Sequence, residues 1–387
     1  MDFYKGRGTK ADEEQLLEVI DDVFFSDDDE ETKRNFKDLL PKLYKEQYNP
    51  GYNNVMIKED GKIKAAIGCF PLEATVAGRK LKVMGIGNVA VAKDSRRKGY
   101  MVELMNLALD IMKEEDYDYS LLGGDRQRYG YFGYEPVGAE QHFSINRQNI
   151  KHVAGKDFQT TFTAKEVTED DIETVDKILE LYKSLPYYMD RNRENCIDVL
   201  KSWRSVPYAA FENGEFKGYF AVQKFGGLQE IKAVNVEDTV NLIVCAMQII
   251  GSDGVDFNIP VFDTEFCDYM AKICAGSSIC PVDMVNIFNF AKFIEAFLSI
   301  KAQRMNLCPG TLNILIHGFK KDEKIAVTVD GKNVTVTETD AEPDLELEHH
   351  RAIDMLGGMF SKDRNSLPAF AQGWFPLDFF AYGQDNV

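Results

Sequence analysis

The sequence predicts an α+β protein of two or three domains, built from helices and mixed β-sheets. Three observations favour this class: turn residues that join short apolar runs into hairpins, one strand–turn–helix–strand segment, and a length of 387 residues. A domain usually spans about 100–200 residues, so this length fits two or three of them. Hydrophobic residues make up 44% and charged residues 28% of the chain, a globular balance that excludes wholesale disorder.

The first predicted domain, residues 1–150, combines helices with hairpins. Asp60-Gly61 and Gly78-Arg79 each join two apolar runs, because glycine supplies the positive φ that a tight hairpin needs. Apolar residues then recur with helical spacing from Met101 to Met112, and Tyr119–Leu122 is the expected next strand. The segments that precede this helix are two predicted helices, at 11–25 and 33–48, and five short strands, at 55–58, 63–69, 75–77, 80–84 and 87–92.

Residues 151–282 repeat part of that plan and form the second predicted domain. Helical patterns precede a hairpin at Asn213-Gly214, and a helix at 238–250 leads to a strand at 255–259. This portion has no basic glycine turn before its helix, so we interpret it as a degenerate second copy. The third predicted domain, 283–387, has two helices, at 290–301 and 349–360, three strands between them and an aromatic tail, whose apolar surface predicts that the tail is buried.

Composition limits the classes of partner. Lys and Arg number 45 against 63 Asp and Glu, a formal net charge of −18. This charge argues against a general nucleic-acid binder and favours small cationic partners. Seven cysteines without a Cys-x-x-Cys pair, no signal-peptide pattern and no apolar run of 18 residues predict a cytoplasmic protein without a membrane span. Five histidines without an i, i+4 pair predict no metal site.

One segment carries a chemical signal: an apolar strand at Val89, Ala90 and Val91 runs into the turn Arg96-Arg97-Lys98-Gly99 and an apolar helix. A glycine turn at a helix start directs backbone N–H groups into one concavity, where they and the helix dipole bind phosphate. The three basic side chains add charge for a pyrophosphate. A solvated basic loop is the plain alternative, but the strand before and the helix after the turn favour an anion site.

This segment resembles the acetyl-coenzyme A motif of GCN5-related N-acetyltransferases (GNAT), Arg/Gln-x-x-Gly-x-Gly/Ala. Arg96 and Gly99 match the motif, while Met101 replaces its last small residue. The enhanced intracellular survival (Eis) group tolerates a bulky residue there, and Tyr129–Pro136 resembles its Tyr-Gly-x-Phe-Gly-Tyr-x-Pro loop. The resemblance spans essentially the whole chain. It implies tandem GNAT-like mixed-sheet domains, the second without a cofactor site, followed by a smaller α/β domain like sterol carrier protein 2 (SCP2-like).

The same resemblance implies functional residues. Val89, Ala90 and Val91 would pair with the pantetheine arm of acetyl-coenzyme A. The pyrophosphate turn would comprise Arg96, Arg97, Lys98, Gly99, Tyr100, Met101 and Val102. Tyr129 corresponds to the general acid that protonates the coenzyme A thiolate, although its aromatic loop is also compatible with simple packing. The general base would be the carboxylate of Val387, with Asp385 as an alternative.

We therefore predict an acetyl-coenzyme A-dependent N-acetyltransferase. The expected acceptor is a primary amine of a small cationic molecule or peptide, such as an aminoglycoside, a polyamine or a lysine side chain. The resemblance also implies a homo-oligomer, a hexamer in the family. The rival prediction is a non-catalytic coenzyme A- or lipid-binding protein with a vestigial acetyltransferase domain.

Overall fold

The computed structural model describes residues 2–29, 33–223 and 227–387. Their contacts divide the chain into two compact units. The first unit comprises residues 1–138, 283–377 and 386–387, and the second comprises residues 139–282 and 378–385. The three predicted domain ranges stay predictions beside this division.

Helices and strands occur in both units, which confirms the α+β class. The strands, in chain order, are β1 (Phe3–Arg7), β2 (Asn54–Glu59), β3 (Lys62–Val76), β4 (Arg79–Val91), β5 (Tyr119–Leu122), β6 (Glu135–Pro136), β7 (Glu140–Asn146), β8 (Thr163–Glu166), β9 (Tyr187–Met189), β10 (Ser205–Glu212), β11 (Glu215–Gln223), β12 (Leu228–Ala233), β13 (Gly254–Pro260), β14 (Ser277–Cys280), β15 (Met284–Ile287), β16 (Gly310–His317), β17 (Asp322–Asp330), β18 (Asn333–Glu338) and β19 (Leu345–Glu348). The α-helices are α1 (Glu13–Phe25), α2 (Phe36–Leu39), α3 (Pro41–Tyr44), α4 (Tyr100–Glu114), α5 (Arg126–Tyr129), α6 (Arg147–Ala154), α7 (Ile172–Lys183), α8 (Cys196–Lys201), α9 (Thr239–Ile250), α10 (Thr264–Ala271), α11 (Phe290–Arg304) and α12 (His349–Gly357).

The main sheet of the first unit runs in the order β1-β2-β3-β4-β5-β15-β6. The β2–β3 hairpin turns at Asp60 and Gly61, whose φ angles of 47° and 74° confirm the predicted tight turn. Strands β4 and β5 are parallel, and α4 is the crossover between them. The face of α4 that the apolar spacing predicts is the buried one, including Leu104, Met105 and Ala108.

Two secondary-structure predictions for the first domain were wrong, one for a helix and one for the short strands. The expected helix over 33–48 is broken into α2, α3 and a 3-10 turn at Glu46–Tyr48, because Pro41 has no N–H to donate and instead starts α3. The expected short strands merge into the long strands β3 and β4. These two pair continuously from Val76↔Arg79 to Gly68↔Gly87, and Pro71 stays within the ladder opposite Met84.

The remainder of the first unit adds a second, smaller sheet in the order β18-β17-β16-β19, accompanied by α11 and α12. Every second residue of β16, including Leu312, Ile314 and Ile316, is fully buried, as a strand covered on one face requires. Helix α11 packs its aromatic residues against the main sheet: the rings of Phe293 and Tyr119 are 5.3 Å apart, edge to face.

The second unit has its own sheet, in the order β14-β7-β13-β12-β11-β10-β8. It repeats the first unit's plan: a hairpin (β10–β11) turns at Asn213 and Gly214, with φ angles of 51° and 85°, and β12 then leads through α9 to the parallel strand β13. An apolar core that includes Phe220, Leu242 and Phe257 fills this unit.

The aromatic tail is buried as predicted, and Trp374, Phe379 and Phe380 are at most 2% exposed. Residues 378–385 of the tail belong to the second unit, whereas Asn386 and Val387 belong to the first. Within the described ranges, the helices are too short or too polar to cross a bilayer.

Candidate active site

The candidate site begins where β4 continues past the end of β5. The parallel pairing runs from Val83↔Tyr119 to Ile86↔Leu122, and β4 then extends to Val91. Over this extension, the described strand partner of β4 is β3, with Ala90 opposite Ala66 and Val91 opposite Ala65. The other edge of β4 therefore presents backbone N–H and C=O groups at Val89–Val91, and such an edge can pair with an extended ligand.

A β-bulge at Asn88 bends β4 at this point. The ladder passes from Ala66↔Ala90 to Gly68↔Gly87, so β4 has one residue more than β3, and Asn88 has a φ of 36°. Its side chain is fixed on both sides, since it accepts from the Tyr44 hydroxyl (2.6 Å) and donates to the side-chain oxygen of Asn54 (2.9 Å). Gly68 is required here, because a Cβ on it would lie 2.2 Å from Asn88 Oδ1.

The turn before α4 has the backbone of an anion site. Arg97 and Gly99 have φ angles of 68° and 84°, and α4 starts at Tyr100 with N–H groups that lack intrahelical acceptors. Arg96 and Arg97 are exposed beside them, and no ion pair holds either side chain among the described residues. The exposed amides and guanidinium groups fit the pyrophosphate of a coenzyme A.

Lys98 differs from its two neighbours because its ammonium donates to both oxygens of the Glu59 carboxylate, at 3.0 Å each. The Tyr100 hydroxyl donates to the same carboxylate, which lowers the pKa of Glu59 and raises that of Tyr100. Sequence reasoning placed Lys98 on the phosphates and missed Glu59. In the structure, Arg96 and Arg97 supply the charge available to an anion.

The carboxyl end of the chain lies against the sheet face of β4. A Cβ on Gly85 would be 2.7 Å from Cγ2 of Val387, and a Cβ on Gly87 would be 3.1 Å from its carboxyl carbon. A side chain at Gly85 would therefore collide with Val387, and one at Gly87 would crowd its carboxyl group. Sequence reasoning missed this pair, although glycine within a strand is a known sign that another backbone comes close.

Tyr129 ends the short helix α5, which follows β5. It is 6% exposed, and its ring contacts Gly124, where a Cβ would be 2.8 Å from the ring. Burial raises the pKa of the Tyr129 hydroxyl, opposed by a weaker interaction with Arg128. The phenol is thus protonated at neutral pH and can donate a proton.

Asp385 lies in a different environment, inside the second unit. Its carboxylate accepts from Nε and Nη2 of Arg191, at 2.9 and 2.8 Å, and from the Tyr182 hydroxyl at 2.9 Å. Arg191 also donates to both oxygens of Glu230, at 2.9 and 2.8 Å. Burial by itself disfavours the charge of Arg191, but the carboxylates of Asp385 and Glu230 hold its pKa above the ordinary value. Both carboxylate oxygens of Asp385 are therefore hydrogen-bonded within a buried ion-pair cluster.

No cluster of three or more His, Cys, Asp or Glu side chains that could hold a metal occurs in the part of the chain that the structure describes. None of the seven cysteines forms a disulfide within the described residues.

Comparison with known proteins identifies the domain that contains β4 and α4. Residues 7–137 match the family described as Acetyltransferase (GNAT) domain. No curated protein sequence matches the chain. The match identifies residues 7–137 as a GNAT domain and the chain as an acetyltransferase. An acyl-coenzyme A is accordingly the general class of its acyl donor, and an amine that of its acceptor.

Solved structures share the fold over almost the whole chain. A GCN5-related N-acetyltransferase from Anabaena variabilis has a TM-score of 0.69 at 16% identity, covering 100% of this chain and 98% of that one. One from Kribbella flavida has 0.68 at 14%, covering 97% and 95%. Eis1 from Mycobacterium abscessus has 0.64 at 12%, covering 100% of both chains. At these identities the likeness concerns the fold, and it confirms the prediction of tandem GNAT-like mixed-sheet domains.

Proposed function

We propose that this protein is an Eis-like N-acetyltransferase that moves the acetyl group of acetyl-coenzyme A to a primary amine of a small cationic acceptor. The observation that carries the proposal is the carboxyl group of Val387 on the Gly85–Gly87 segment of β4. There it adjoins the strand segment on which a GNAT domain would hold its thioester. A carboxylate at this place is chemically suited to take a proton from an ammonium.

The donor would bind along β4 and the following turn. The free edge of Val89, Ala90 and Val91 suits the amide groups of pantetheine, and the backbone from Arg96 to Val102 suits the pyrophosphate. Acetyl-coenzyme A supplies the acyl group as an activated thioester. A backbone N–H of the Val89–Val91 segment would stabilise the oxyanion that develops on the thioester carbonyl.

The reaction is a direct transfer between donor and acceptor. The Val387 carboxylate takes one proton from the acceptor ammonium, and the lone pair of the amine forms the new N–C bond. As the C–S bond breaks, the Tyr129 hydroxyl gives its proton to the departing sulfur, and the second proton that the new amide nitrogen must lose returns through solvent to the Tyr129 phenolate. Asp385 is a weaker candidate for the base, because its oxygens already accept from Arg191 and Tyr182.

The acceptor class follows from charge and resemblance. A net charge of −18 favours cationic molecules, and aminoglycosides, polyamines and lysine side chains all present primary ammonium groups. The resemblance to the Eis group further supports a homo-oligomer, an SCP2-like portion at 283–387 and the three domain ranges of the sequence analysis. Seven cysteines without a disulfide among the described residues support a cytoplasmic location.

The test is an assay of acetyl-coenzyme A consumption across aminoglycosides, polyamines and lysine peptides, with Tyr129→Phe as the diagnostic variant. Loss of the general acid should lower kcat by about 10²–10⁴-fold while leaving acetyl-coenzyme A affinity unchanged. Tyr131→Phe is the matched control, since Tyr131 lies in the same loop but is 86% exposed. An unchanged kcat for Tyr129→Phe would remove this tyrosine from the mechanism.

A second measurement separates the enzyme from its rival. If calorimetry detects no acetyl-coenzyme A binding to the wild-type protein, the non-catalytic alternative, a vestigial acetyltransferase domain with another ligand, replaces the proposal.

A further inference from the structure

Asn386, the residue before Val387, contacts two ionisable side chains of the first unit that the reaction above does not use. Lys42 lies on α3, is 8% exposed, and donates from its ammonium to the backbone carbonyl of Asn386 at 2.6 Å. Asp283, next to the first residue of β15, accepts a hydrogen bond from the Asn386 side-chain amide. One charged group thus holds the backbone of Asn386 and the other holds its side chain.

The partners of Asn386 are themselves fixed. Lys42 belongs to a helix whose four residues are all buried, so its ammonium has little freedom. The backbone carbonyl of Asp283 accepts the N–H of Val137 at 3.0 Å, which anchors the start of β15. Burial raises the pKa of the Asp283 carboxyl, although the Asn386 bond opposes this shift. Its Oδ2 is buried and has no hydrogen-bond partner among the described residues.

Val387 follows directly after the residue that is held. Its side chain and carboxyl carbon lie over Gly85 and Gly87, where side chains would collide with them. A carboxyl group one peptide unit beyond Asn386 has few backbone torsions left once Asn386 is fixed.

We propose that Lys42 and Asp283 are positioning residues that hold Asn386 and thereby fix the carboxyl group of Val387 on β4. We call Lys42, Asp283 and Asn386 the clamp. Its role in catalysis rests on the proposed function, whereas its contacts do not. A general base is effective only within hydrogen-bond reach of the proton that it removes. Loosening the clamp should therefore lower kcat and leave the affinity for acetyl-coenzyme A unchanged.

The clamp can be measured without any activity, by digestion of a chain that ends at Val387 with a carboxypeptidase. The release of valine, followed by mass spectrometry, requires local opening of the last residues. Lys42→Met removes a charge-assisted hydrogen bond and should speed the release by about 10–100-fold. Lys37→Met is the matched control, because Lys37 is exposed on the neighbouring helix α2 and should release valine at the wild-type rate.

Two further variants test the Asp283 side of the clamp. Asp283→Leu removes the acceptor of the Asn386 amide and should speed release about tenfold, whereas Asp283→Asn keeps an oxygen acceptor and should restore slow release. Asn386→Ala alters only the tail, so it reports on the clamp even if a core variant fails to fold. Combined with Asp283→Leu it should add little, because both changes delete the same bond.

The outcomes separate the clamp from the proposed function. Equal release rates for the wild type, Lys42→Met and Asn386→Ala would overturn the clamp. Faster release with an unchanged kcat would overturn its positioning role. Slow release in a wild-type protein that transfers no acetyl group would instead refute the proposed function and leave the clamp standing.

Discussion

The two units contain the same strand–turn–helix–strand arrangement with opposite charge at the turn. In the first unit, β4 leads through Arg96-Arg97-Lys98-Gly99 to α4 and the parallel strand β5. In the second, β12 leads through Val236-Glu237-Asp238 to α9 and the parallel strand β13. Acidic side chains at the start of α9 repel a phosphate, so the second turn is unsuited to a coenzyme A. On the proposed function, equivalent topology therefore binds coenzyme A only where the turn residues supply the chemistry.

Two sets of charged residues, one in each unit, also differ in exposure. The first unit exposes Arg96 and Arg97 at its turn. The second unit buries Arg191 with Glu230 and Asp385, all with side chains at most 4% exposed. We interpret the first set as a ligand site and the second as structural. Three predictions test this contrast, from the largest expected change in free energy to the smallest.

The first prediction concerns the buried cluster. Arg191→Met leaves the carboxylates of Glu230 and Asp385 buried without their cation, so the second unit should lose about 3–5 kcal/mol of unfolding free energy. Denaturant titration measures the loss, and hydrogen exchange should place it in the second unit. Arg193→Met is the control: its pair with Asp176 has side chains 66% and 40% exposed, and should contribute below about 1 kcal/mol. Equal losses from both variants would contradict a structural role for the cluster.

The second prediction concerns the exposed turn. Replacement of both Arg96 and Arg97 with alanine should remove the two charge-assisted contacts that we propose with the pyrophosphate, and so raise the Kd for acetyl-coenzyme A about 100-fold or more. Calorimetry provides the measurement. Alanine at both Glu237 and Asp238 of the second turn should leave this Kd unchanged. If the two double variants bind equally, the difference between the turns has no functional meaning.

The third prediction concerns a buried titratable group of the first unit. His349 stacks on Phe319 with ring centroids 4.0 Å apart, and its Nε2 is 2.8 Å from Oδ1 of Asn286. Burial, with smaller effects of His350 and Lys113, lowers the pKa of His349 to about 3. Below about pH 6.5, the His349 imidazole therefore binds a proton in the unfolded chain but stays neutral in the folded chain. The free energy of unfolding then falls by about 1.4 kcal/mol per pH unit toward pH 3.

His349→Gln removes this titration, so the loss of unfolding free energy between pH 6.5 and 5 should shrink by about 2 kcal/mol. Urea unfolding at the two pH values measures it. His152→Gln, at an exposed position in the second unit, should leave the pH dependence as in the wild type. An equal slope for the wild type and His349→Gln would show that the imidazole is protonated within the folded protein.

Local patterns predicted much of the fold. The Asp60-Gly61 and Asn213-Gly214 turns, helix α4 and strand β5 were all predicted from adjacent residues, since turn chemistry and apolar periodicity act over a few positions. Strand β19 was missed. It pairs in parallel with β16, a strand distant in sequence, and no local turn marks such a pairing.

The candidate site was predicted only in part. The pyrophosphate turn is local, and its Arg-Arg-Lys-Gly residues are visible in the sequence. The ion pair between Lys98 and Glu59, which are 39 residues apart in the sequence, is visible only in the tertiary structure. The contacts of Asn386 with Lys42 and Asp283 likewise join residues that are far apart along the chain.

The sequence by itself determined the α+β class, the acidic body and the basic turn before α4, because composition, periodicity and turn residues act locally. Only the tertiary structure decided that Val387 lies on Gly85 and Gly87 while Asp385, two residues earlier, is held by Arg191. The physical reason is that burial and pairing of the tail depend on strands distant in sequence. The folded chain alone therefore decides that the Asp385 carboxylate pairs with Arg191 and that the Val387 carboxyl group reaches β4.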